Sequence, residues 1–166
     1  PLSGLSAVRI ESPRPNSVPT VPWGGVRITW SPDDAMRGRS FPLATSGQPG
    51  AGNTLFCRLL PSGELVFGYD HWGKPAIATA PIPFRLGTPH VIEFWMPAMV
   101  APDRATPLVV IVDGQTMWKV SVPFFPTGPS ERFLLRNAIG ASSAETLLPS
   151  ARIEARGLPH PTTQSP

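Results

Sequence analysis

The chain has 166 residues, a length typical of one domain, and 41% of them are hydrophobic while only 15% are charged. Its 23 prolines exclude long helices, because proline fits neither the interior of a helix nor that of a central strand. The net charge of +3 comes from singly scattered Arg and Lys residues without a basic stripe, and one cysteine excludes both an internal disulfide and a Cys/His metal cluster.

Short strands dominate the chain. Each predicted strand is rich in β-branched or aromatic residues and ends at a turn or a proline. In chain order the strands are Leu5–Ile10, Val26–Trp30, Thr54–Leu60, Glu64–Tyr69, His90–Met96, two strands within residues 108–122, Arg132–Leu135 and Ala151–Ala155. A proline-rich connector, residues 12–25, separates the first two strands and is predicted to be extended.

The clearest local signal is L-V-V-I-V-D-G-Q-T-M-W-K-V-S-V at residues 108–122. Asp113 and Gly114 form a two-residue loop between β-forming runs, which predicts a type I′ hairpin with positive φ at both positions. About ten short strands without a helical period predict an all-β antiparallel sandwich. We assign residues 1–157 to a single β-sandwich domain and residues 158–166 to an extended, proline-rich C-terminal tail.

Several of these segments together resemble the laminin-G-like and concanavalin A-like lectin/glucanase superfamily. They are the hairpin V-V-I-V-D-G-Q-T-M-W-K-V, the following R-F-L-L-R-N-A-I-G-A-S, the closing run A-R-I-E-A-R, and the front segment L-S-A-V-R-I-E, which resembles the opening strand that pairs with the closing one. The resemblance spans residues 4–157 and implies a two-sheet jelly roll. It implies no particular activity, because one fold hosts many functions.

The acidic residues do not form a pattern typical of glycoside hydrolysis. Glucanases of the superfamily resemble one another in a Glu-x-Asp-x-x-Glu run, which places two carboxyl groups on one face of a strand. No two of the 11 acidic residues in this chain fall on one predicted strand at even spacing. His71, His90 and His160 accompany no G-x-S-x-G elbow, and Cys57 lies within a strand. We therefore predict that the protein is not an enzyme, with a glycoside hydrolase as a distant third possibility.

Metal binding has little support in the sequence. Legume-type lectins and laminin-G modules of the superfamily hold calcium through Asp and other oxygen ligands, and Asn53, Asp34 and Asp70 could meet at one rim of the sandwich. No D-x-D-type loop accompanies them, however, and calcium requires six to eight oxygens. We predict neither a metal nor another cofactor.

The stretch F-G-Y-D-H-W-G-K-P at residues 67–75 is the main candidate binding site. Tyr69 continues the inward side of a strand, Asp70 suits a turn, and His71 suits a surface loop. Trp72 is the best contact residue, because an exposed indole can stack on a sugar or anchor a protein interface. The candidate binding residues are Tyr69, Asp70, His71, Trp72, Trp23 and Trp118.

Two functions remain open. The main prediction is a non-catalytic structural subunit that docks onto and stabilises a larger, membrane-embedded or soluble protein complex through its charge-poor surface and proline-rich tails. The alternative is a carbohydrate-binding, lectin-like module that uses the rim loops around Trp72. Nucleic acid is not an expected partner. Because the chain begins at Pro1, a signal or an anchor can precede it, and we expect an extracytoplasmic location.

Overall fold

Two antiparallel five-stranded sheets pack face to face in the computed structural model, which describes residues 24–100 and 106–161. The strands are β1 (Gly25–Trp30), β2 (Ser40–Gln48), β3 (Ala51–Leu59), β4 (Leu65–His71), β5 (Ile77–Ala78), β6 (His90–Trp95), β7 (Leu108–Val112), β8 (Gln115–Val120), β9 (Arg132–Leu134) and β10 (Ala151–Leu158). One helical turn of α type (Pro97–Val100) and two of 3₁₀ type (Asp34–Met36 and Pro129–Glu131) join them.

The strand order defines a jelly-roll sandwich of the concanavalin A-like type. Sheet A has the order β10-β1-β6-β7-β8, and sheet B has the order β5-β4-β3-β2-β9. Every pairing of these strands is antiparallel. The predicted all-β fold, an antiparallel sandwich of two sheets, is confirmed. None of the helices in residues 24–100 and 106–161 is long and apolar enough to cross a membrane.

The hydrophobic core lies between the two sheets and follows the alternation of their strands. Trp30 of sheet A packs edge-to-face against Phe41 of sheet B, with ring centroids 6.1 Å apart. Cys57 lies in this core, and its burial raises the pKa of its thiol. The other large, fully buried side chains of the core are Tyr69, Phe67, Phe94, Ile28, Leu43, Leu55, Leu59, Leu65 and Ile92.

The Asp113-Gly114 hairpin forms as predicted. Asp113 has φ 49° and Gly114 has φ 81°, so both central residues adopt the left-handed conformation of a type I′ turn. β7 and β8 pair directly across it, from Val112 and Gln115 at the turn to Leu108 and Val120 at the far end.

Strand β2 was not predicted from the sequence. Its residues Phe41 to Gly47 are buried on both faces, so they show no alternation of polar and apolar side chains. It also contains Pro42, which normally argues against a strand. The strand tolerates this proline because a bulge between Pro42 and Ala44 interrupts the ladder to β3, and pairing with β9 begins only at Ala44.

A loop, residues 137–145, covers the outer face of β2 and β3 and explains why both faces are buried. The Thr45 hydroxyl donates to the carbonyl oxygen of Arg136 at 2.9 Å, which fixes the start of this loop. Ile139 packs onto Gly52 so closely that a Cβ at Gly52 would lie 2.6 Å from its Cδ1 atom. Sheet B therefore carries a second, small apolar layer outside the main core.

The closing strand β10 pairs with β1 and continues to Leu158, three residues beyond the predicted end. The predicted opening strand Leu5–Ile10, nearly all of the connector 12–25 and the candidate residue Trp23 lie outside the described residues. The same applies to residues 162–166 of the predicted tail.

Candidate binding site

The candidate stretch ends strand β4 and turns into β5. The turn is tied at two points: Trp72 N–H donates to Gly52 O at 3.0 Å, and Lys74 N–H donates to His71 O at 2.9 Å. Gly73 has φ 79°, a conformation that glycine adopts at little cost. Because alternate residues of a strand face opposite sides, the four adjacent residues divide into two pairs. Tyr69 and His71 face the interior, whereas Asp70 and Trp72 face outward.

The inward pair belongs to a buried polar network centred on Asn53, which is fully buried. The Tyr69 hydroxyl donates to Asn53 Oδ1 at 3.0 Å or to Pro123 O at 2.8 Å, and burial raises the pKa of this phenol. Asn53 Oδ1 also accepts from Phe125 N–H at 3.1 Å, and Asn53 Nδ2 donates to Phe125 O at 3.2 Å. Asn53 thus ties the segment that follows β8 to the middle of sheet B.

The imidazole of His71 completes this attachment. Its Nδ1 lies 3.0 Å from Asn53 Oδ1, and its ring stacks on Phe125 with centroids 4.4 Å apart. Burial, reinforced by the charge of Lys74, lowers the pKa of His71, and nearby Asp70 only partly opposes them. The role of the stacked His71 side chain in this geometry is to support the turn.

A buried arginine holds the other end of the same segment. Arg132 Nη2 donates to Thr127 O at 3.0 Å, and burial lowers the pKa of its guanidinium to about 10. Neither Arg132 nor Asn53 was predicted from the sequence to be an anchor. The only indication in the sequence is that each is a polar residue at the start of a strand-forming run, where a buried polar group needs hydrogen-bond partners.

The outward pair forms an accessible corner, defined here as the Trp72 corner: Asp70, Trp72 and Lys74. The Trp72 side chain is 41% exposed, and Lys74 is exposed beside it. Asp70 is half-buried, and within the described part of the chain its carboxylate accepts no hydrogen bond from a side chain or from a loop amide. An indole, a carboxylate and an ammonium group are thus presented together on a turn that is held from within.

Thr54 extends this corner across the sheet. It lies opposite Asp70 in the β3–β4 register, so both side chains are on the outer face of sheet B. Thr54 is 1% exposed, and among the described residues its buried hydroxyl has no hydrogen-bond partner.

The remaining candidate tryptophan lies elsewhere. Trp118 is on β8 of sheet A, whereas the Trp72 corner belongs to sheet B, and the Trp118 side chain is partly buried against the core. It pairs with Val110 and is not part of the Trp72 corner. The structure thus brings together four of the six candidate residues, with two of the four pointing inward.

The oxygens considered for calcium do not converge. Asn53 points inward, Asp70 points outward, and Asp34 forms an ion pair with Arg37 at 2.7 Å. Over residues 24–100 and 106–161, no three His, Cys, Asp or Glu side chains are placed to hold a metal ion.

A hydroxyl, an imidazole and a carboxylate do line up at one end of sheet A, where β6 begins and β7 turns into β8. His90 Nε2 lies 3.2 Å from Thr88 Oγ1, and His90 Nδ1 lies 2.7 Å from Asp113 Oδ2. This order is that of a catalytic triad. However, His90 Nε2 lies only 2.7 Å from Arg85 O, which can only accept, so the Nε2 proton is directed there. The group is a clamp between the loop of Arg85 and the β7–β8 turn, with no free base for the Thr88 hydroxyl.

This clamp makes stability depend on pH through Asp113. Burial raises the pKa of this carboxyl, but hydrogen bonds from His90 and from Val91 N–H outweigh it, so the pKa lies below its ordinary value of 3.8. The resulting stabilisation of the folded state is fully present above pH 3.8 and is lost as the pH falls through the lowered pKa of Asp113. Asp113→Asn is expected to cost less than about 1 kcal/mol near neutral pH, because the Asp113 side chain is 52% exposed. The thermal midpoints of the wild type and Asp113→Asn should approach each other in acid. A difference that stays constant with pH would contradict the stabilising role of the Asp113 carboxylate.

A shallow cleft of about 420 Å³ lies at the far side of sheet B. Arg39 and Glu145 form an ion pair at its wall, with Nε donating at 2.7 Å, and this hydrogen bond lowers the pKa of Glu145. Leu147, which is 57% exposed, forms its apolar side. Because Arg39 and Glu145 are bonded to each other, their polar groups are less available to a ligand than the carboxylate of the Trp72 corner.

No protein-family model and no curated protein matches this sequence. Among solved structures, the chain is similar to galectin LEC-6 from Caenorhabditis elegans, with a TM-score of 0.44 and 15% identity over 65% of this chain and 72% of that one. It is also similar to Ruminococcus gnavus IT-sialidase CBM40 bound to α2,3-sialyllactose, with a TM-score of 0.47 and 10% identity over 77% of this chain and 71% of that one.

A further similar structure is alginate lyase Aly36B, with a TM-score of 0.40 and 15% identity over 66% of this chain. This chain spans only 56% of the length of that lyase. At such low identities these similarities concern the fold alone.

Proposed function

We propose that this protein is a non-catalytic carbohydrate-binding module that contacts its glycan at the Trp72 corner. The observation that carries the proposal is the exposed indole of Trp72 beside the outward-facing carboxylate of Asp70. An indole stacks on the apolar face of a sugar ring, while a carboxylate accepts hydrogen bonds from its hydroxyl groups. Together they recognise a neutral sugar by one flat face and one polar edge.

The rigidity of the corner favours binding. The turn is held by Trp72 N–H and Lys74 N–H on the backbone side, and by Tyr69 and His71 on the interior side. A turn already fixed in this way loses little conformational entropy when a ligand binds. Binding without bond cleavage also agrees with the His90 clamp, in which the ring nitrogen next to Thr88 is already engaged.

The proposal predicts that Trp72→Ala weakens glycan binding at least about tenfold, roughly 1.4 kcal/mol, because the stacking surface is lost. Asp70→Asn should also weaken binding, by removing the charge that strengthens hydrogen bonds from hydroxyl groups. A printed array of neutral and acidic oligosaccharides would first identify the best ligand. Titration calorimetry with that ligand would then compare the variants.

The matched control is Leu147→Ala, which removes an exposed apolar side chain from the cleft of Arg39 and Glu145, away from the Trp72 corner. It should leave affinity unchanged. If the intact protein binds nothing on the array, or if Trp72→Ala and Leu147→Ala bind alike, the glycan proposal is wrong.

A second candidate function is docking onto a larger protein assembly, soluble or membrane-embedded. One observation favours it: residues 72–83 include only one charged residue, Lys74, yet ten of the twelve are exposed. An exposed apolar segment of this length is typical of a protein contact. Ile77, 42% exposed, lies at its centre. Ile77→Asp should abolish co-purification of a partner while leaving glycan affinity intact, whereas Asp70→Asn should do the reverse.

A further inference from the structure

Trp95 is almost fully buried on the outer face of sheet A, where neither sheet of the described residues covers it. Phe94, its neighbour on β6, points into the core, so Trp95 points outward, yet it is only 4% exposed. The indole lies across Gly25 of the adjacent strand β1, where an added Cβ would be 2.2 Å from Nε1. The absence of a side chain at Gly25 lets the indole reach the edge strand β10.

The C-terminal segment covers this indole. Trp95 Nε1 donates to Pro159 O at 3.0 Å and to Leu158 O at 3.2 Å. The His160 ring packs edge-on against Trp95 with centroids 6.2 Å apart, and its Nε2 lies 3.4 Å from Pro107 O. Trp95, Gly25 and Pro107 therefore form a narrow site, here named the Trp95 slot, that is filled by residues 158–161.

The filling segment has the sequence Leu-Pro-His-Pro. Its two prolines fix φ near −65°, which favours an extended chain without internal hydrogen bonds. Its carbonyl groups are therefore available to an outside donor. An aromatic platform that supplies a donor to such carbonyls is the way in which several protein families recognise proline-rich peptides.

We propose that the Trp95 slot is a binding site for an extended Leu-Pro-x-Pro peptide of a partner protein, closed in the free molecule by the chain's own residues 158–161. The hydrogen bonds from Trp95 and the space over Gly25 favour an extended backbone. The contact between the His160 ring and Trp95 adds packing at the third position of the motif. None of these contacts requires a particular charge. Gly157, with φ 72°, precedes the segment and gives it a pivot.

The chain's own segment has a strong advantage over any outside peptide. A short tether gives it an effective concentration on the order of millimolar, so a single free peptide competes poorly with it. The slot is expected to accept an outside peptide only when this segment is loosened. The partner is thus expected to bind in exchange for residues 158–161.

The test uses the full chain with Pro159→Gly and His160→Ala, which loosen residues 159–161 while retaining strand β10. A fluorescently labelled peptide with the sequence of residues 158–161 is the probe. Anisotropy should show binding to this variant at least about tenfold tighter than to the wild type, which reflects removal of the tethered competitor. In the NMR spectrum, the peptide should shift the resonance of the Trp95 indole N–H. That resonance is identified as the one that is missing from the spectrum of Trp95→Phe.

Two controls make the outcome decisive. The same peptide with alanine in place of both prolines should bind at least about fivefold more weakly, because it is no longer extended in advance. Adding Trp95→Phe to the loosened variant should abolish binding. If the double variant does not fold, His160→Ala alone is titrated in the same way. No binding to a folded, loosened variant, or equal binding with Trp95→Phe, would overturn the proposal.

Discussion

Replacing Asn53 with leucine is expected to lower the free energy of unfolding by about 4 kcal/mol. Leucine is similar in size but makes none of the bonds that Asn53 makes to Ser46, Tyr69 and Phe125. The Phe125 amide and the Ser46 hydroxyl would then be buried without these partners, and each such group costs about 1–3 kcal/mol. The measurement is urea unfolding. The midpoint should fall while the slope of the free energy against urea concentration stays the same, because the surface exposed on unfolding should not change.

Tyr69→Phe is the matched control for this prediction. It removes a single hydroxyl from the same network and leaves Asn53 Oδ1 with the Phe125 amide, so the expected cost is about 1 kcal/mol. If Asn53→Leu proved as mild as Tyr69→Phe, the network would not be the anchor that we describe. Asn53→Leu should also loosen the turn that carries Trp72, because His71 contacts Asn53 directly.

Gly25→Ala is expected to lower the free energy of unfolding by about 3 kcal/mol. The new methyl group would overlap the Trp95 indole, whose nearest atoms would lie 2.2 and 2.4 Å from it. Gly25 does not have a positive φ, so the cost arises from the clash and not from the backbone. The displaced indole should become exposed, which shifts its fluorescence to longer wavelength.

Gly128→Ala is the control for this substitution. Gly128 also lacks a positive φ, and an added Cβ would meet only the Glu131 side chain, at 3.8 Å. Its expected effect is within about 0.5 kcal/mol, and can be stabilising, because alanine restricts the unfolded chain. Equal stability of the two variants would contradict the packing of Trp95 over Gly25.

The sequence predicts most of this fold because most of its strands are bounded by local signals. Alternation in Val26–Trp30 and the Asp113-Gly114 turn depend on neighbouring residues alone, and the structure confirms both. Strand β2 could not be predicted in this way. Its burial on the outer face depends on the distant loop 137–145, so its own sequence gives neither a polar face nor a period.

The candidate site was predictable only in outline. The run of Tyr69 to Trp72 correctly indicated the end of a strand, and alternation alone would divide it into an inner and an outer pair. Asn53 supports both inward residues, Tyr69 and His71, because of the register between β3 and β4. No local sequence pattern reveals that register. The same holds for Trp95, whose cover is supplied by residues more than sixty positions later.

The outermost strands bear on the solubility of a protein with so few charges. In sheet B, the terminal strands among the described residues have two and three residues, too short to template growth by a neighbouring molecule. In sheet A, the strand β10 is terminal on one side among residues 24–100 and 106–161, and it presents Arg152, Glu154 and Arg156 in alternation. At these three edges, short strands or charged side chains discourage the pairing of copies into fibrils, while exposed apolar residues elsewhere stay available for recognition.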